Sequence, residues 1–466
     1  MLALTAFFYV TVMKKIIVLW VFLLVTLTSY SQNSLIGGKW WGILDISGRK
    51  LTIGFDIHTD ENQGFMEVKE QGAKGIPLEV QKVTADSLEI TISAIGTSYS
   101  GVRVTERKID GTFTQNGMRL PLSLEPGEIP VNRPQTPQPP YPYLTEEVVF
   151  ENTAERAVLS GTLTYPMMHF RYPSGTIPVV LMVTGSGQQN RDEELFGHKP
   201  FAVIAHHLAV NGIASLRYDD RGVGKSTGSL EGLTTWINKN DAAAGIAYLR
   251  SLGKFGKVGM LGHSEGGTIA FMLGADNAVD FLVSLAGSAA KGIDVIIGQN
   301  AAALKLSGFS DAVVTQYCRA LEVVHMDRIN GVIIEDSVAY VDAVCSGNDI
   351  VLPASLKSNL KSVVASSNDW FTYFLGHDPS EDIKKITCPV FALNGTLDMQ
   401  VICKDNIPVI RENLPENPSS QIKEYESLNH LFQHCTIQNS LLYGAIEETI
   451  SEEVLDDIAA WINCIK

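Results

Sequence analysis

Cysteine is missing from most of this 466-residue chain. All six, Cys318, Cys345, Cys388, Cys403, Cys435 and Cys464, fall in its C-terminal part, and none forms a C-x-x-C or a Cys/His cluster. That spacing argues against a thiolate metal site, and the sequence leaves open whether any of them pair in an oxidising compartment. Charge is also scarce, at 19% of residues, and cations are outnumbered, 36 against 51, for a net −15. An acidic chain is a poor partner for nucleic acid, whose phosphates need a basic face. Hydrophobic residues make up 45%, which excludes a disordered tail and allows a large core in two or three domains.

The long apolar run lies at the N-terminus. Met13, Lys14 and Lys15 precede an unbroken stretch from Ile16 to Leu27, followed by Ser29-Tyr30-Ser31. Basic, apolar and small residues in that order predict a secretory signal over residues 1–31, with Met13 as the expected start and cleavage before Gln32. The competing reading is a retained membrane anchor. Export with cleavage would place the mature protein in the periplasm or outside the cell, in contact with membrane only in transit.

Prolines are unevenly spread. Pro126, Pro130, Pro134, Pro137, Pro139, Pro140 and Pro142 crowd one short stretch, which predicts a linker over residues 126–144. Before it, Leu51, Ile53, Phe55 and Ile57 alternate with Thr52, Gly54, Asp56 and His58, and Leu88, Ile90 and Ile92 repeat the period of two. Such alternation means half-buried antiparallel strand. Turn residues at Ser47-Gly48, Gln71-Gly72 and Asp110-Gly111 are expected to separate the strands, so residues 34–125 read as an all-β barrel or sandwich. This region holds no acid pair, histidine cluster or nucleophile motif. Its Trp40-Trp41 pair is expected in the core.

After the linker, short apolar runs alternate with helical stretches. Strands are expected at Pro178–Val183, Ala214–Tyr218, Lys257–Leu261, Phe281–Leu285 and Val390–Leu393, and helices at Phe201–Val210, Asn238–Leu252 and Gly267–Leu273. A hairpin of Glu147–Phe150 with Leu159–Tyr165 precedes them. Runs apolar throughout suit strands covered on both faces, so residues 145–466 form a mostly parallel sheet with helices on both sides. Between Ala289 and Thr387 strand signals lapse and amphipathic helical pieces such as Val295–Leu306 and Ala312–Val324 take over.

The chemistry is expected on turns of that sheet. Gly262-His263-Ser264-Glu265-Gly266-Gly267 follows an apolar strand and opens a helix, the context in which G-x-S-x-G presents a nucleophile. A serine hydroxyl needs a base, and the base an orienting acid, in the chain order serine, acid, histidine. Asp398 follows the strand Val390–Leu393, and His430 follows the strand-like Gln421–Tyr425. His434 and His263 are rivals for the base and Asp405 for the acid. A tetrahedral intermediate also needs two donors: the N–H of Glu265, and one from the loop Thr184-Gly185-Ser186-Gly187-Gln188-Gln189, where Ser186 is favoured over Gly187 and Gln188. That Gly-Ser-Gly turn lacks dinucleotide-binding spacing. Gly224-Lys225-Ser226 mimics the end of a P-loop, but Asp219 stands where its first glycine belongs. The Asp219–Thr227 segment reads instead as a rigid loop in which Arg221 pairs with an acid, and Arg191-Asp192 is expected to join that network.

Taken together, Gly-Ser-Gly-x-x-x-Arg-Asp, Asp-x-Arg-Gly-x-Gly-x-Ser, Gly-His-Ser-Glu-Gly-Gly, Asn-Gly-x-x-Asp and Asn-His-x-Phe-Gln make residues 146–465 resemble the bacterial α/β-hydrolase family of EstD-type esterases, with a likeness to serine aminopeptidase-like enzymes of the same fold. Asp369-Trp370-Phe371-Thr372-Tyr373-Phe374-Leu375 resembles the family's segment before the acid-bearing strand, and the β domain resembles one joined to such hydrolases in exported proteins. The resemblance implies a Ser264–His430–Asp398 triad, a helical cap at about 290–385 whose apolar helices would cover a mostly hydrophobic pocket, hydrolysis of small carboxylic esters, and neither metal nor organic cofactor. Gln188 and Asn190 depart from the family's usual proline and acid, and Ile402 from a proline, which bears on substrate range. An aminopeptidase or dipeptidyl peptidase of the same fold, and a non-catalytic ligand-binding protein, are the alternatives.

Overall fold

The computed structural model describes residues 35–465 except Ser47, Gly72, Asn116, Val131, residues 168–174 and Ser367. The predicted signal, residues 1–31, lies outside the described residues. Two units are resolved, dividing at Pro130.

The first is a closed meander of eight strands: β1 (Gly38–Ile46), β2 (Arg49–His58), β3 (Gln63–Val68), β4 (Ala73–Val83), β5 (Ser87–Ile92), β6 (Thr97–Thr105), β7 (Lys108–Gln115) and β8 (Met118–Pro126). Each pairs antiparallel with the next, and β8 returns to β1 through Trp40 opposite Pro126. Closure leaves no free edge to pair with another chain. The alternating set Leu51, Ile53, Phe55 and Ile57 faces inward with Leu88, Ile90, Ile92 and Trp40. One expected turn is a strand instead. Asp110 and Gly111 sit inside β7, opposite Val102 and Gly101 of β6. A Cβ at Gly111 would meet the Tyr99 ring, so this glycine makes room for a large core side chain, and the chain turns earlier, at Glu106-Arg107.

The second unit carries an eight-stranded sheet with helices on both faces. The hairpin β9 (Tyr143–Asn152) and β10 (Ala157–Pro166) leads into β11 (Val179–Val183), β12 (Ala214–Tyr218), β13 (Val258–His263), β14 (Leu282–Leu285), β15 (Val390–Gly395) and β16 (Gln421–Tyr425). Spatial order is β16-β15-β14-β13-β11-β12-β10-β9. All pairs from β12 through β11 to β16 are parallel, while β10 runs antiparallel to β9 and β12. This is the α/β-hydrolase class of fold that the sequence predicted.

Each face is sealed by helices. On one side α1 (Pro200–Val210) and the C-terminal helix bury Phe201, Ile204, Ile458 and Trp461 against Val180, Leu261 and Phe391. On the other, α2 (Thr235–Ser251), α3 (Glu265–Ala275) and the helix following β15 bury Ile246, Leu249, Ile269 and Ile407 against Leu181, Met260 and Ala392. Neighbouring residues of β11 thus serve opposite cores, and burying each such aliphatic side chain contributes about 2 kcal/mol.

Between β14 and β15 the chain is helical: α4 (Gly292–Leu306), α5 (Asp311–Ile329), α6 (Ser337–Gly347), α7 (Ala354–Ala365), α8 (Asp369–Gly376) and α9 (Ser380–Ile383), followed after β15 by α10 (Cys403–Asn413) and after β16 by α11 (Glu452–Cys464). Side-chain caps start three of the helices between β14 and β15: Ser310 accepts from Val313 N–H, Asp336 from Val338 and Ala339, and Asn368 from Phe371. Tyr317, Leu321, Val324, Val341 and Leu360 give these helices a core of their own. All six cysteines are free. Among the described residues no helix is long and apolar enough to cross a membrane.

The proline-rich stretch is bound rather than loose along part of its length. The Arg133 guanidinium donates to the carbonyls of Ile446 (2.8 Å), Gly444 (2.9 Å) and Phe196 (3.0 Å). Gln135 donates to Ile450 O at 2.7 Å and accepts from the Thr449 N–H at 2.6 Å. Composition shows prolines but not these carbonyls, which become available only when the loop before α11 folds. Charged donors on carbonyls are worth about 1.5–3 kcal/mol each at best, so Arg133→Ala is expected to lower the stability of the second unit by roughly 2 kcal/mol. Urea unfolding checks this; an unchanged midpoint would show that the anchor is idle.

Candidate active site

Sequence crowding forces the turn at Ser264. This residue sits at φ 54°, ψ −118° between β13 and α3, a conformation that costs an L-residue energy and is usually kept only where neighbours enforce it. A Cβ at Gly262 would collide with Gly266 O, and one at Gly266 with Val183 O. Both glycines therefore let β13, α3 and β11 approach closely enough to form the elbow. The Ser264 N–H donates to Leu285 O at 2.9 Å, and its carbonyl accepts from Gly267 at 2.9 Å. The side chain is thereby presented above the sheet.

Two further loops converge there. His430 and Asp398, both buried, are joined by a 2.7 Å hydrogen bond from Nδ1 to Oδ2. Asp398 Oδ1 accepts from the N–H groups of Gln400 (2.8 Å) and Val401 (2.9 Å), so the carboxylate cannot swing away. With its Nδ1–H given to Asp398, His430 keeps Nε2 as a free basic nitrogen. Ser264, Glu265 and His430 line one cavity of about 720 Å³ together with Ser186. The cap contributes Val295, Ile296, Trp370 and Phe374 to its walls. The sequence rivals are occupied elsewhere: His434 is exposed and pairs with Glu448, and Asp405 lies exposed on α10. His263 is bonded to Glu193 and to the His430 carbonyl.

The loop bearing Ser186 is fastened from below. Asp220 Oδ2 accepts from the Gln189 N–H (2.8 Å) and the Thr184 hydroxyl (2.9 Å), and Asp219 Oδ1 accepts from the Arg191 N–H (2.9 Å). The arginines expected to share one network belong to separate ones. Arg221 pairs with Asp241 (2.7 Å), whereas Arg191 pairs with Asp219 (2.7 Å) and Glu147 (2.8 Å) and Asp192 pairs with Arg217. Arg191 takes Asp219 because its own backbone N–H already lies against that carboxylate.

Carboxylates outnumber cations around this loop. Loss of water pushes the Asp220 pKa up to about 8, opposed by the bonds from Gln189 and Thr184 and reinforced by Glu193 and Glu265. Glu265 is 3% exposed, and burial raises its pKa as well. Its Oε1 accepts from the Trp370 indole N–H at 2.8 Å. Its Oε2 has no hydrogen bond of normal geometry, with Thr235, Asn238 and Ser186 nearby. Glu193 had no functional signal in the sequence. Asp220 stood in the doublet Asp219-Asp220 beside a glycine-rich loop, and Trp370 in the 369–375 segment that resembles part of the esterase family. Among the described residues no group of three histidine, cysteine or acidic side chains is placed to hold a metal ion.

The family model described as X-Pro dipeptidyl-peptidase (S15 family) matches residues 157–422. Esterase EstD of Thermotoga maritima is 24% identical over 315 residues, and the match spans 65% of this chain and 65% of that relative's length. Among solved structures, the Pyrococcus furiosus esterase Pf2001 is similar with a TM-score of 0.42 and 17% identity, over 72% of this chain and 98% of that one. Est1E from Butyrivibrio proteoclasticus is similar with a TM-score of 0.39 and 16% identity, over 68% and 99%.

Asp220 gives the site a measurable pH signature. Its pKa rises on folding, so its contribution to stability is complete below the ordinary carboxylate range and is lost as pH rises through about 8. Asp220→Asn keeps an acceptor oxygen for Gln189 and Thr184 and cannot ionise. The variant is expected to melt close to the wild type at pH 4 and several degrees above it at pH 9. A gap that does not grow with pH would contradict the assignment.

Proposed function

The chain belongs to the X-Pro dipeptidyl-peptidase (S15) family, and from that membership we propose that it is a serine hydrolase cleaving small carboxylic esters through an acyl-enzyme. The observation that carries the reading is the buried 2.7 Å bond between His430 and Asp398 beside a cavity that also contains Ser264. Ser264 Oγ attacks the ester carbonyl while His430 Nε2 takes its proton. The bond from carbonyl carbon to leaving oxygen then breaks, and His430 returns the proton to the departing alcohol. Water repeats the cycle on the acyl group and releases the acid. Asp398 holds the imidazole in the tautomer this requires and stabilises the imidazolium that forms. The N–H groups of Glu265 and Ser186 receive the oxyanion, with the Glu265 N–H free at the first turn of α3. We also propose that residues 1–31 direct export to the periplasm or beyond, on the basic, apolar and small residues found there.

A second reading has one specific observation behind it. Glu265 is a buried carboxyl beside Ser264, it lines the cavity, and one of its oxygens lacks a normal hydrogen bond. A peptidase of this fold that acts on free N-termini needs such an acceptor for the substrate's ammonium group, and ion pairing would draw the raised carboxyl back to its charged form.

Kinetics on short-chain p-nitrophenyl esters and on aminoacyl amides test both readings. Ser264→Ala and His430→Ala are expected to lower kcat/KM for the preferred substrate by at least about a thousandfold, and full turnover by either variant would refute the site. Glu265→Gln keeps the backbone donor and separates the readings. Under ester chemistry it changes acyl esters and aminoacyl substrates alike. Under peptidase chemistry it selectively removes the aminoacyl substrates, by roughly 30-fold for one lost charged contact.

A further inference from the structure

His263 closes β13 immediately before Ser264, and its ring is buried under the site. Both of its nitrogens face acceptors. Nδ1 lies 2.9 Å from Glu193 Oε1, and Nε2 lies 2.9 Å from the backbone carbonyl of His430. Glu193 Oε1 also accepts the Gly185 N–H at 2.8 Å. A carbonyl has no proton to give and a carboxylate has none, so an imidazole that satisfies both must carry two. Glu193 itself is buried and stands at φ 51°, a backbone state that its side-chain bonds help to hold.

From this geometry we propose that Glu193 and His263 form a second, positioning dyad, an ion pair that fixes three loops in register: the oxyanion loop through Gly185, the nucleophile elbow through β13, and the base through the His430 backbone. The proposal rests on the hydrolase reading above. His263 does not touch the reacting atoms; it sets where His430 stands relative to Ser264. The two rings lie 4.7 Å apart, centroid to centroid. The charged groups facing His263 are Glu193, on the loop after β11, and Asp398, on the loop after β15, beyond His430, the third titratable neighbour. Burial opposes the second proton, while both carboxylates and the His430 carbonyl favour it, and the balance holds the His263 pKa above its ordinary value. The clamp is therefore complete below the ordinary imidazole range and loosens as pH rises through that elevated value.

Three variants of the full-length protein and one spectrum test this. Glu193→Ala removes the anchor. His263→Asn keeps a donor for Glu193 and cuts the bond to His430. Glu193→Gln keeps one amide oxygen to accept from Gly185 and from His263 Nδ1 but carries no charge, so it anchors the ring while the second proton is no longer held by an ion pair. With p-nitrophenyl acetate, Glu193→Ala and His263→Asn are expected to lower kcat by about a hundredfold with KM within about threefold, the cost of misplacing a base by an ångström. Glu193→Gln is expected to lose no more than about fivefold and to lose the wild type's alkaline dependence of kcat. Imidazole ¹⁵N spectra at pH 7 should show one ring protonated at both nitrogens in the wild type, absent from His263→Asn and neutral in Glu193→Gln.

Three results would overturn the proposal: kcat within about twofold of wild type in His263→Asn, a loss in Glu193→Gln as large as in His263→Asn, or a neutral His263 ring at pH 7. If Glu193→Ala does not fold, the other two variants decide. If the wild type turns over no ester, the function reading fails separately, and the spectrum still decides the dyad.

Discussion

The strained backbone at Ser264 is the constraint around which the second unit is arranged. At φ 54° this residue ends a buried strand and starts a helix within one step. The step is feasible only because Gly262 and Gly266 let α3 lie against β13 and β11 at backbone distance. The neighbouring strands enforce it: Leu285 of β14 accepts the Ser264 N–H, and Val183 of β11 runs beneath Gly266. A parallel sheet with a hydrophobic core on each face supplies the rigidity. Site residues then arrive from the carboxyl ends of four strands, Ser186 after β11, Ser264 after β13, Asp398 after β15 and His430 after β16, as open α/β sheets favour.

Electrostatics in this region are set first by burial and then by a shortage of cations. Arg221 is committed to Asp241, and Arg191 to Asp219 and Glu147. Glu193, Asp220 and Glu265 are left around the loop bearing Ser186, with His263 as the partner of the first. Asp220 and Glu265 respond by holding protons more tightly. In a region stripped of water, keeping several like charges would cost more than protonating some of them. A loop with less negative charge beneath it is also a better place to develop an oxyanion.

Much of this was legible in the chain. Val179–Val183 is apolar on both faces because it is covered on both, and β11 falls within the run expected at Pro178–Val183. Leu51, Ile53, Phe55 and Ile57 announced a strand with one wet face. The spacing of Gly262, Ser264 and Gly266 carried the elbow, since a Cβ at Gly262 would meet Gly266 within the turn itself, although the need for Gly266 comes from the backbone of β11. What stayed hidden depends on contacts far apart in sequence. Asp110-Gly111 looks like a turn until the Tyr99 ring needs the space, and Arg133 looks like linker until the carbonyls of 444–446 come within reach. Glu193 lies 70 positions from His263, and no local pattern marks it.

The account stands or falls on Ser264 being a nucleophile activated by His430. Peptide-level mass spectrometry after exposure to a fluorophosphonate measures this directly, because the reagent bonds only to an activated serine oxygen. The account predicts a single adduct on the peptide bearing Ser264 in the wild type, and its loss when His430 is replaced by alanine in folded protein. An unmodified Ser264, under conditions that label a control serine hydrolase to completion, would contradict it.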